Sequence, residues 1–117
     1  MYTSTHIFMC GGAIISDRTI LSAGHCVFYL PSVLSTYWIL GMHNQHQKDG
    51  DRYEVKHVDL HPKFVNHSIY DDYDISLVTL HTQIRFTNKI KPICLPDICM
   101  KKNSHYELIM IEIFLSR

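Results

Sequence analysis

The chain has 117 residues, 46% apolar and 19% charged, with 11 basic and 11 acidic side chains balancing to zero and nine His. That length is the size of one domain, and five Phe, one Trp and seven Tyr give it apolar surface to bury, which excludes a disordered composition. Zero net charge argues against a nucleic-acid partner, which calls for a basic excess. No apolar run approaches the roughly 18 residues of a membrane span. The longest, Leu108 to Leu115, is far shorter and carries Glu112.

The first residues, Met1 to His6, contain neither the basic region nor the apolar core of a secretion signal. Ile7 to Ser16 then reads as an extended run with Gly11-Gly12 in its middle, the mark of a bulge or a close backbone approach. Asp17-Arg18 is a turn, and Thr19 to Ala23 is a second extended run with β-branched residues at its start. Gly24-His25-Cys26 breaks it. Tyr37 to Leu40 is a third run, ended by Gly41.

Met42 to Arg52 is a polar loop with Gly50 near its tip. Tyr53 to Leu60 reads as a strand, but Tyr53 and Val55 fall on one face while Val58 and Leu60 fall on the other. A bulge near His57 accounts for the switch. His61-Pro62 ends the strand, and Lys63 to Tyr73 is a polar loop. Asp74 to Leu80 alternates strongly, and Pro92 and Pro96 mark an extended connector. Short runs separated by turns, with little helical periodicity, predict an all-β fold: a small antiparallel barrel or sandwich.

Two compositional features bear on function. Four Cys, at 10, 26, 94 and 99, suggest an oxidising compartment, the alternative being four buried free thiols. None forms a C-x-x-C pair, which disfavours a zinc ribbon or a redox dithiol. All five Gly lie at or before Gly50, so no glycine-rich loop can form in the remainder of the chain.

Candidate chemistry centres on Leu21-Ser22-Ala23-Gly24-His25-Cys26 and Asp72-Tyr73-Asp74-Ile75-Ser76-Leu77. Alone, His25 reads as a hydrogen-bonded core histidine and Asp74 as a turn residue. Together they offer a different arrangement, because an Asp that accepts from a His ring holds its tautomer and stabilises the imidazolium. Metal pairs are also conceivable. His43 with His46 and His57 with His61 have zinc-like spacing, and Asp49, Asp51 and Glu54 offer oxygens. Nine His make such pairs expected by chance, and no metal or other cofactor is expected.

Four motifs in order resemble the trypsin/chymotrypsin-like serine protease family. Cys10-Gly11-Gly12 resembles its Cys-Gly-Gly strand, and Ser22-Ala23-Gly24-His25-Cys26 its Ser/Thr-Ala-Ala-His-Cys motif, with Gly24 for the second Ala. Asp74-Ile75-Ser76-Leu77 resembles Asp-Ile-Ala-Leu, with Ser76 for Ala. Pro92-Ile93-Cys94-Leu95-Pro96 resembles the connector between the family's two barrels.

The resemblance implies the first of those two antiparallel β-barrels, incomplete at both ends, over residues 1–97, with a divergent tail over 98–117. It implies that His25 is the catalytic general base, that Asp74 rather than Asp71 or Asp72 orients it, and that Cys10 and Cys26 form the disulfide beside it. Cys94 is left unpaired or joined to Cys99.

In the family the nucleophilic Ser, oxyanion hole and specificity pocket come from the second barrel. No Gly-Asp-Ser-Gly-Gly occurs in this sequence. The expectation is therefore a serine endopeptidase portion, inactive alone, whose parent acts on protein or peptide substrates and meets protease inhibitors. The alternative is a secreted, non-catalytic binding or decoy module. Met42 stands where calcium-binding members carry Glu, which disfavours calcium. Family membership also implies an extracellular location, where Asn66-His67-Ser68 would be a glycosylation acceptor.

Overall fold

The computed structural model describes residues 1–30, 32–44, 46, 49–64 and 73–95. Asn66, Cys99 and the expected tail over 98–117 lie outside these. Five strands form one antiparallel sheet: β1 (Ala13–Ile14), β2 (Thr19–Ser22), β3 (Tyr37–Leu40), β4 (Asp51–Leu60) and β5 (Ser76–Leu80), in the order β1-β2-β5-β4-β3. A single helical turn, α1 (His25–Phe28), follows β2, and a 3₁₀ turn (Val33–Ser35) precedes β3. Among the described residues, no helix is long and apolar enough to cross a membrane.

The sheet is a curled half-barrel, and two local features bend it. In β4 the register with β5 slips between Val55 and His57, so the expected bulge is present. A bulge adds local twist and shifts the inward face from odd to even positions, so Tyr53 and Val55 before it and Val58 after it lie on the same side as Val78 and Leu80. At the other edge, Tyr2 and Tyr37 exchange both backbone hydrogen bonds, at 2.8 and 3.0 Å. The segment from Tyr2 to Gly12 thus starts on the free edge of β3 and ends at β1, spanning the two edges of the sheet.

Alternation places the core on the concave face. Ser76, Val78 and Leu80 of β5 point inward, whereas Leu77 remains 38% exposed. Ile20, Trp38, Leu40, Tyr53, Val55, Ile84 and Ile90 complete a single apolar cluster, joined by Cys26 and Val27 from α1.

Several expected boundaries move. The run from Ile7 to Ser16 yields only the two-residue β1, because Gly12 presses against its neighbours rather than extending a ladder. A Cβ there would lie 2.8 Å from Ile20 Cγ2, the Leu21 carbonyl and Trp38 Cη2. Of the two readings of the glycine pair, close approach holds at Gly12. Asp51 and Arg52, expected in the loop, pair with Leu40 and Ile39 and extend β4. Tyr37 to Leu40 forms β3 as expected, and Gly41 ends it at φ 74°, a left-handed conformation open to glycine.

Candidate active site

The end of β2 and the start of β5 are neighbours in the sheet, with Ser22 opposite Ser76. The chain leaves β2 at Ala23, turns at Gly24 and enters α1, so His25 is the first helical residue. On the facing side the strand expected from Asp74 begins only at Ser76. Tyr73 adopts φ 60°, and the Ile75 N–H donates to the Tyr73 carbonyl at 2.7 Å. That tight turn aims Asp74 at His25.

The two side chains meet. Asp74 Oδ2 lies 2.5 Å from His25 Nδ1, and Asp74 Oδ1 accepts the His25 backbone N–H at 2.7 Å. One carboxylate therefore holds both the ring and the backbone of the same residue, and charge-assisted bonds of this kind are the strong ones. Burial is unequal: the Asp74 side chain is 9% exposed and the His25 side chain 52%. The carboxylate is shielded, while the imidazole is half exposed with its Nε2 3.7 Å from the Cys26 sulfur.

Three restraints fix this frame. Cys10 and Cys26 form a disulfide with 6.1 Å between Cα atoms. Closing a loop with a sequence separation of 16 stabilises the fold by about 3 kcal/mol in the chain-entropy model. The buried Ser22 hydroxyl donates to the Gly11 carbonyl at 2.9 Å. The buried Ser76 hydroxyl donates to the Ala23 carbonyl at 3.0 Å. Sequence reasoning noted Ser76 only as a departure from the family motif. Nothing in the sequence reveals that its hydroxyl reaches the residue two before His25.

Aromatic side chains flank the pair and were also missed. Phe28 packs edge-on against Phe64 with ring centroids 5.6 Å apart, and His61 stacks on Tyr73 at 4.7 Å. Lys63 Nζ lies 5.3 Å above the Tyr73 ring.

Among the described residues, none of the His pairs with zinc-like spacing falls in a grouping of three potential ligand side chains. His57 faces Asp59 and Thr79, and His43 and His46 line an open groove with Phe8 and Met42. Among the described residues, the one grouping of three potential ligand side chains is Cys10, His25 and Cys26, with ligand atoms within 4.8 Å of one another. Both of its sulfurs are spent on the disulfide. Cys94 is disulfide-bonded as well, which removes the unpaired alternative for it.

The trypsin family model matches residues 1–109. The chain belongs to the trypsin family.

The beta subunit of clotting factor G from Tachypleus tridentatus is 31% identical over 113 residues, covering 95% of this chain and 35% of that protein. Serine protease grass of Drosophila melanogaster is 39% identical over 102 residues, covering 76% of this chain and 26% of that protein. Inactive serine protease scarface, also of Drosophila melanogaster, is 35% identical and covers 80% of this chain and 14% of that protein. Among solved structures, neuropsin, a serine protease expressed in the limbic system of mouse brain, superposes with a TM-score of 0.65 at 27% identity. That match covers 78% of this chain and 39% of neuropsin. This trypsin-family chain thus spans about a third, or less, of the relatives it matches.

Proposed function

We propose that this chain carries the general-base half of a serine endopeptidase site, with His25 as the base and Asp74 as the group that orients it. The observation that carries this reading is the double hold of Asp74 on His25 Nδ1 and on the His25 backbone N–H. A carboxylate accepts hydrogen bonds and does not donate them, which places the ring proton on Nδ1. Nε2, 3.7 Å from the Cys26 sulfur, then keeps its lone pair. With it the ring can take the proton of a serine hydroxyl as that oxygen attacks a peptide carbonyl, and later return the proton to the leaving amine.

No Gly-Asp-Ser-Gly-Gly nucleophile motif occurs in this sequence, so the chain by itself has no route to an acyl-enzyme. A covalent reaction needs a second half carrying the serine and the oxyanion-hole amides, and protein or peptide substrates belong to that complete enzyme. The Cys10–Cys26 disulfide and the clotting-factor relative support an extracellular location.

A second reading is a non-catalytic binding module, favoured by the relative that is named an inactive serine protease. Nitrogen NMR of the His25 ring tests the first. The expected result is the Nδ1–H tautomer at neutral to alkaline pH, switching towards Nε2–H in Asp74→Asn, whose amide can donate to Nδ1. A predominant Nε2–H tautomer in the unsubstituted chain overturns the proposal.

A further inference from the structure

Gly24 sits between two anchored carbonyls. The Ala23 carbonyl accepts the Ser76 hydroxyl at 3.0 Å, and the Gly24 carbonyl accepts the N–H groups of Val27 and Phe28 at 3.1 and 3.0 Å. Gly24 has φ −64° and ψ −41°, helical values that any residue adopts. Its backbone therefore does not require glycine. What glycine permits is close approach: a Cβ there would lie 3.1 Å from Asp74 Oδ1, 3.3 Å from the Ile75 nitrogen and 3.3 Å from Leu60 Cδ2, tighter than ordinary contact.

The motifs this chain resembles carry Ala at the position of Gly24 and Ala at the position of Ser76. Both departures bear on one turn, Gly24 within it and Ser76 across from it at the start of β5. A methyl at position 24 would wedge the turn against Asp74 and Ile75. A hydroxyl at position 76 ties the same turn to β5 from the other side, through Ala23. Either device limits how far Gly24 can swing, and with it the His25 backbone N–H that Asp74 must receive.

We propose that Ser76 is a positioning residue for His25, supplying through its hydrogen bond to Ala23 the restraint that the missing methyl at Gly24 would otherwise give. Ser76 touches neither His25 nor any reacting atom. It acts by holding the turn, and the inference rests on reading His25 and Asp74 as the working pair. Its buried position, 1% exposed, keeps water from competing for the Ala23 carbonyl. The two substitutions should therefore be coupled: the hydroxyl matters while residue 24 is Gly and matters little once it is Ala.

Amide hydrogen exchange in the full chain tests this with Ser76→Ala, Gly24→Ala and the double variant. The reporter is the His25 amide, which donates to Asp74 Oδ1. Ser76→Ala should lower its protection about tenfold, while amides in β3 and β4 such as Trp38 and Val55 change less than about twofold. In the Gly24→Ala background the same change should cost less than about twofold. The His25 Nδ1–H proton signal should broaden in Ser76→Ala and sharpen again in the double variant.

Equal losses in both backgrounds overturn the proposal, as does a loss spread uniformly over the sheet. Neither result touches the catalytic reading, which the ring tautomer in the unsubstituted chain tests separately.

Discussion

His25 and Asp74 are distant in sequence and meet because two residues beside them bend the chain: Gly24 at the end of β2 and Tyr73, with its positive φ, before β5. The meeting depends on buried hydroxyls as much as on the pair. Ser22 ties β2 to Gly11, next to the disulfide, so Ser22→Ala leaves the Gly11 carbonyl without its donor. That change should lower stability by about 1 kcal/mol, read as a fall in the urea midpoint with an unchanged m-value. His25 and Asp74 were legible because their flanking residues form ordered motifs. The roles of Ser22 and Ser76 were not, because a serine facing a main-chain carbonyl in another segment leaves no local pattern.

At the scale of elements, the strands carry the site by presenting alternate faces. Leu80 is fully buried in the core, and its neighbour on the opposite face, Leu77, is 38% exposed. Leu80→Ala should therefore cost about 2–5 kcal/mol and Leu77→Ala less than about 1 kcal/mol, compared by thermal or urea unfolding. Similar costs would mean that the inward and outward faces of β5 are misassigned. β3 and the β4 bulge could be read in advance because periodicity reports which face a residue takes. β1 could not. Its short length follows from Gly12 closing on Ile20 and Trp38, a contact between segments well separated in sequence.

For the whole molecule, the curl of the sheet brings the ends of β2 and β5 together, and the first residues join its two edges through Tyr2 and Tyr37. The result is one rim on which His25 and Asp74 meet, with the His25 side chain half exposed. The trypsin-family fold was legible from four motifs in order. The closure at Tyr2 was not, since a single rung at a sheet edge needs no particular side chain.

The central claim is that His25, held by Asp74, is the base of a serine endopeptidase. Its most direct test is a chimaera in which residues 1–95 of this chain replace the matching half of neuropsin, assayed for peptide turnover with and without His25→Ala. The account predicts measurable turnover that falls by at least about 10²–10⁴-fold in kcat/KM with His25→Ala, in line with the contribution of a positioned general base. A folded chimaera that is inactive with His25 in place, or equally active without it, would contradict the account and favour the non-catalytic module.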